Sequence, residues 1–145
     1  MGDSTEKVAE ELHRAALRLL RRLRKADDTL DISTARLSAL SVLVFVGPQT
    51  VSALARIEQV SQPTMTSLTQ ALIRDGLVRS APDREDARLR RLTATAKGKR
   101  LLHRARARRV ELLSAMLDRL PQAEVKALGR SASIVEGLLI DTPAE

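Results

Sequence analysis

Apolar residues recur along this chain at spacings of three and four, the signature of helices buried on one side. The first row is Val8, Leu12, Ala16, Leu19 and Leu23, widened by Leu17 and Leu20. It predicts a helix over Val8–Arg24 whose other face is arginine-rich (Arg14, Arg18, Arg21, Arg22). A short link with Asp27, Asp28 and Asp31 follows. Ser33 suits the N-cap of a second helix over Thr34–Val46 that buries Leu37, Leu40 and Val44. Gly47 and Pro48 end it, because glycine permits the turn and proline cannot continue a helix. Thr50 then caps a short third helix, Val51–Glu58, expected to bury Leu54 and Ile57. A fourth helix starts at Ser61 and closes at Gly76. Pro63 lies in its first turn, where the missing N–H costs nothing, and its apolar seam is narrow: Met65, Leu68 and Leu72.

The period then changes. Leu77–Ser80 has strand character, Pro82–Ala87 is turn-rich and charged, and Arg88–Thr93 returns as a second strand. The pair predicts a β-hairpin with a loop longer than a tight turn. Thr95 caps a long helix over Ala96–Leu120, with Leu101, Leu102, Ala105, Leu113, Met116, Leu117 and Leu120 apolar. Pro121 interrupts, and Gln122–Leu139 forms a last helix on Val125, Leu128, Ala132, Val135 and Leu139. The tail, Asp141–Glu145, is expected to fray.

This order predicts a mainly α fold with a small β-hairpin wing. A winged helix-turn-helix over residues 33–95 is flanked by N- and C-terminal dimerisation helices, residues 5–26 and 96–140. The flanking helices carry apolar stripes with little of their own domain to cover. Either they pack on their own monomer or they pair with a second copy, and pairing is the expectation. The interface would use Val8, Leu12, Leu117, Leu120, Val135, Leu138 and Leu139.

Charge sharpens this picture. The 145 residues carry a formal net charge of +7. Arg79–Arg109 alone holds twelve basic and three acidic residues, a net +9, so the rest of the chain nets −2. A local patch of one sign is the usual footprint of phosphate binding, although a solvated helix face beside a basic loop has the same composition. The fourth helix differs: its exposed face is Gln62, Pro63, Thr64, Thr66, Ser67 and Gln70, all uncharged. Short hydroxyls and amides meet base edges closely in a major groove. A helix that is simply polar outside is the competing reading. On the first reading these six residues contact the major groove, and wing arginines lie along phosphates or enter the minor groove.

The chain also carries a family pattern. Ser61–Gly76 followed by Leu77, Val78 and Arg79 resembles the recognition helix and strand of the MarR (multiple antibiotic resistance regulator) family. Asp86-Ala87-Arg88, then Leu92, then Thr95-Ala96-Lys97-Gly98, resembles that family's wing and the start of its long helix. The resemblance covers about residues 5–140 and implies a homodimeric, sequence-specific transcription regulator. Such regulators are often repressors released by small anionic or phenolic effectors. It implies that Arg88 reaches the minor groove, that Asp86 orients it, and that Arg84 and Arg90 belong to the same wing. Arg36, Thr50, Ser52, Arg74 and Arg91 are the expected phosphate contacts. By the same resemblance an effector pocket would draw on His13, Arg14, Leu17, Leu37, Leu40 and Ser41. The chain departs from the pattern at Ala94, Arg90 and Arg91, where many members have larger or apolar residues.

Several classes are excluded by what is missing. With no Cys, no thiolate can serve as metal ligand, nucleophile or peroxide sensor. Phe45 is the one aromatic residue, which argues against base-stacking modules for single strands. The absence of Trp argues against a pocket built on an N-terminal Trp. No Gly-rich phosphate cradle, catalytic triad spacing or zinc-ligand spacing is present, so no enzyme activity, metal or cofactor is expected. No apolar run is long enough for a membrane span and the N-terminus is too polar for a secretory signal, so a soluble cytoplasmic protein is expected. A non-specific architectural DNA binder remains the alternative to a specific regulator, and a protein-interaction adaptor on the same fold a third.

Overall fold

A computed structural model describes residues 2–141, with side chains over 4–140. Its elements are α1 (Gly2–Asp27), a 3-10 turn (Asp28–Leu30), α2 (Thr34–Phe45), α3 (Val51–Ile57), α4 (Gln62–Arg74), β1 (Val78–Pro82), β2 (Arg90–Ala94), α5 (Ala96–Leu117) and α6 (Gln122–Asp141). The mainly helical fold with one hairpin agrees with the pattern of the sequence. Contacts divide the chain into two compact units, residues 1–109 and 110–145.

The helix starts follow local chemistry. The hydroxyls of Ser33, Thr50 and Ser61 accept the backbone N–H of Arg36, Ala53 and Thr64, each three residues on. α4 ends with Gly76 at φ 72°, where Gly76 N–H bonds Ile73 O and Leu77 N–H bonds Leu72 O. This is the left-handed closure that glycine favours. α3 ends the same way on a residue that is not glycine. Gln59 sits at φ 54°, with Gln59 N–H on Arg56 O and Val60 N–H on Ala55 O.

Several boundaries differ from expectation. α1 starts six residues before Val8 and runs on to Asp27, beyond its apolar row; Glu6, Lys7, Lys25 and Ala26 favour this extension by propensity, while Gly2–Thr5 do not. β1 and β2 are displaced towards the C-terminus relative to Leu77–Ser80 and Arg88–Thr93. Pro82 closes β1 opposite Arg90, and Leu77 gives its carbonyl to Thr95 instead of the ladder. α5 stops at Leu117, three residues early, and α6 includes Asp141; residues 142–145 lie outside the described residues.

The first unit holds the buried core. Leu40 and Leu54 from α2 and α3, Met65 and Leu72 from α4, Leu92 from β2 and Leu101, Leu102 and Ala105 from α5 fill it. Val44 packs half-buried against this core. Ile57, expected inside, is 46% exposed: α3 has only two turns, and Leu54 and Ala55 occupy its buried side. The hairpin gains a third segment, since Gln49 exchanges both backbone bonds with Leu92 (3.2 and 2.8 Å). In α1, every residue from Ser4 to Arg22 is exposed.

The second unit comprises the last turns of α5 and all of α6. Among its described residues none is fully buried; Leu113, Leu117, Val125 and Val135 are half-buried, and Leu138 and Leu139 are exposed. No described helix is long and apolar enough to cross a membrane.

One glycine limits the geometry of the first unit. A Cβ on Gly98 would overlap the Leu77 carbonyl oxygen and lie 3.1 Å from Leu40 Cδ1. Gly129, on α6, has nothing within 4 Å. We therefore expect Gly98→Ala to lower stability by about 3 kcal/mol through forced displacement of backbone. Gly129→Ala should raise it by about 0.5–1 kcal/mol through helix propensity. Denaturant melts of both variants check the pair, and equal effects would contradict the close approach at Gly98.

Candidate nucleic-acid interface

The uncharged helix face is largely pre-ordered. Gln62 Nε2 donates to Ser52 Oγ (3.0 Å), tying the start of α4 to α3. Thr64 shares its hydroxyl with Ser61 Oγ (2.8 Å). Thr66 is half-buried rather than exposed, and its hydroxyl donates to Gln62 O (2.9 Å). Thr69, which the apolar seam did not include, is buried and donates to Met65 O (2.9 Å). Ser67 and Gln70 are exposed and make no side-chain bond within the chain. Three residues apart on a helix, they share one face with Pro63.

The wing is organised by two aspartates. Asp83, 8% exposed, accepts the backbone N–H of Glu85 (2.7 Å) and Asp86 (3.1 Å) and pairs with the Arg91 guanidinium. Arg91 also donates to Pro48 O (3.2 Å). These bonds, the Arg91 contact first, hold the Asp83 carboxyl at about 2, below the ordinary 3.8. Asp86 repeats the device one step on: Oδ1 accepts Arg88 N–H (3.1 Å), and the carboxylate takes Arg88 Nε and Nη2 at 3.0 and 3.1 Å. The Arg88 guanidinium, then its backbone N–H, lowers the Asp86 carboxyl, and the same contact raises Arg88. The Arg88 side chain is nevertheless 91% exposed. A planar donor is thus aimed into solvent with its orientation already set.

The remaining predicted residues divide in two. Arg90 clamps Ser80 through Oγ (2.8 Å) and O (3.1 Å), and Arg36 pairs with Asp75 at the end of α4 (2.9 Å). Thr50 is spent on its cap. Arg74 and Arg84 are exposed and have no ion pair among the described residues. Sequence reasoning missed Asp83 as the anchor of the wing, and the Asx-turn spacing of Asp83 to Glu85 and Asp86 was the available signal.

The effector-pocket residues are not brought together. Leu37 and Leu40 are buried in the core, and Ser41 is half-buried with its hydroxyl on Ser38 O (2.7 Å). His13 and Leu17 lie with Arg14 along a shallow concavity on α1 alone.

Helices α2–α4 with a basic two-stranded wing define a winged helix-turn-helix protein. The MarR family model matches residues 32–89. An HTH-type transcriptional regulator of Mycobacterium bovis is 34% identical over 143 residues, covering 99% of this chain and all of that protein. A MarR family protein from Bacillus stearothermophilus superposes with a TM-score of 0.82 at 21% identity, covering 97% of this chain and 99% of the other. A mutant of MepR from Staphylococcus aureus, bound to an oligodeoxyribonucleotide, superposes with a TM-score of 0.71 at 18% identity, covering 91% and 97%. The chain belongs to the MarR family and is a transcriptional regulator.

The lowered carboxyls fix the sign of a pH dependence. A carboxylate with a depressed folded value stabilises above its unfolded value and loses that contribution as pH falls through the folded one. Wing order should therefore be intact above pH 3.8 and fade towards about 2. Amide exchange at Glu85 and Asp86 measures it. Asp83→Ala should give fast exchange there already at neutral pH, and unchanged protection would remove Asp83 from this role.

Proposed function

We propose that this chain is a homodimeric, sequence-specific DNA-binding regulator that reads pseudo-palindromic duplex DNA. Arg88 carries the proposal: a bidentate carboxylate fixes it, yet its guanidinium stays open to solvent. Pre-ordering by Asp86 reduces the entropy lost when Arg88 enters a minor groove. The uncharged face of α4, with Ser67 and Gln70 unengaged, supports base-edge reading beside it, with Gln62, Pro63, Thr64 and Thr66 as its pre-ordered border. Arg74 and Arg84 are the phosphate contacts best placed by their freedom. Arg36, Arg90 and Arg91 act first as braces of the α4 end and the wing, and Thr50 and Ser52 hold α3.

The exposed apolar rows support a dimer. Val8 and Leu12 on α1, Leu120 after α5, and Leu138 and Leu139 on α6 all face solvent in the single chain. Exposed apolar rows on helices are a feature of interaction sites. A dimer sets two reading heads about one helical turn of DNA apart. Repression and release by a small anionic or phenolic effector follow from the family alone. The DNA-bound state of the MepR mutant supports the same use of the fold.

Duplex from the chain's own promoter region should bind more tightly than random duplex across a salt series. A salt slope with no sequence preference would instead favour the architectural reading. Arg88→Ala should lower affinity by about 1–3 kcal/mol, and full affinity in that variant would remove the wing from the interface. Sedimentation at micromolar concentration should give twice the monomer mass of 15.9 kDa.

A further inference from the structure

The first half of α5 has a charge pattern that the reading head does not use. From Ala96 to Arg109 it holds seven cations and no acid. Two of them are engaged: Lys97 Nζ donates to Asp75 O (2.7 Å) and Arg109 pairs with Asp27 (3.6 Å). Lys99, Arg100, Arg104, Arg106 and Arg108 are exposed and have no side-chain partner among the described residues. Arg100, Arg104 and Arg108 stand four residues apart on one face, about 6 Å from one to the next. Like charges at that spacing destabilise a helix. Leu101, Leu102 and Ala105 are buried on the adjoining side, and the three arginines themselves are exposed.

The row runs on from the joint between α4 and α5, with Arg104 and Arg108 about 10 and 16 Å along the helix from Lys97. Thr95 and Lys97 fasten the start of α5 to the last turn of α4, at Gly76 O and Asp75 O. The base-reading positions start at the other end of α4, and Ser67 and Gln70 stand about 12 and 8 Å from Asp75 along its axis. The wing loop, Asp83–Leu89, is likewise at the far end of the hairpin from Ala94. The row is also straight and open. None of its cations lines the concavity on α1 or the one between Pro48 and the hairpin, so it fits an extended anion better than a small one.

We propose that Arg100, Arg104 and Arg108, flanked by Lys99 and Arg106, form a second phosphate-backbone surface that takes a second segment of duplex DNA. The partner is set by charge complementarity: a regular polyanion relieves the repulsion along the row and releases counterions. The bound protein would then hold two duplex segments, one read and one gripped without sequence preference. The inference rests on the reading head for its first duplex only.

The test uses the full-length chain and two arbitrary duplexes of about 40 bp, long enough for both heads of a dimer. One carries a donor dye and the other an acceptor. Wild type should bring them together, with energy transfer falling steeply as salt rises. Arg100→Gln, Arg104→Gln and Arg108→Gln combined keep helix propensity and remove three charges. That variant should lower bridging about tenfold or more, and reduce the bridging salt slope by about 3. Its binding of a single duplex should change less than about twofold. Bridging at the wild-type level in the variant would overturn the proposal, as would a wild type that holds one duplex and never two. Equal loss of single-duplex binding would place the row within the reading head. A monomeric variant would overturn it by assigning the row to contacts between copies, with Glu6, Glu10 and Glu11 of α1 as the available acids. A wild type that binds no duplex would instead bring down the reading of α4 and the wing.

Discussion

The close approach of α5 to the Leu77 carbonyl is the constraint on which the reading head depends. Gly98 has no side chain there, and neither Leu77 nor Leu40 leaves room for one. Because the backbones meet, Thr95 can serve three neighbours at once. Its hydroxyl caps α5 at Gly98 N–H and donates to Gly76 O (2.6 Å), while its N–H bonds Leu77 O (3.0 Å). Lys97 adds a bond to Asp75 O. The end of α4, the base of the hairpin and the start of α5 are thereby one joint. Reading helix and wing cannot tilt independently about it, which is what two-point recognition of a duplex requires.

From that joint outward, the arginines divide by what they touch. Near it they brace: Arg36 on Asp75, Arg90 on Ser80, Arg91 on Asp83 and Pro48 O. Towards the wing tip they point out, as Arg84 and Arg88 do. A net charge treats these alike, yet only the second group is available to a phosphate. Asp83 and Asp86 make the difference. Each accepts backbone N–H groups of the loop and each pairs with one guanidinium, so the loop's shape and its charge display are set by the same two carboxylates.

What the sequence made legible was local. Ser33, Thr50, Ser61, Pro63 and Gly76 act within a turn of themselves, and the structure uses them as their chemistry dictates. Asp86 and Arg88 are two residues apart, so their pairing was within reach of a pattern. The misses are non-local. Ile57 has the right period for burial, but a two-turn helix buries only one side. Thr69 is buried because its hydroxyl returns to its own backbone, which hydropathy does not register. The bridge of Gln49 to Leu92 joins residues 43 apart, and Arg91 reaches Pro48 O over the same separation. Leu37 and Leu40, by contrast, have the period of core residues, and the structure buries both.

The same division into local and non-local explains why α1 and the second unit look unfinished. Each element is a well-formed helix, since helical bonds are satisfied within the segment. Burial, however, needs a surface to meet, and α1 exposes Val8, Leu12 and Leu20 while α6 exposes Ile134, Leu138 and Leu139. Two helices in 36 residues, the whole of the second unit, bury too little surface to be stable alone. The reading head has no such deficit, because Leu40, Leu54, Met65 and Leu72 close its core without help. The chain therefore combines a core that closes on itself with helices whose apolar rows are left uncovered among the described residues. In the proposed dimer, whatever repositions these helices would act on the spacing of two heads and leave the internal geometry of each intact.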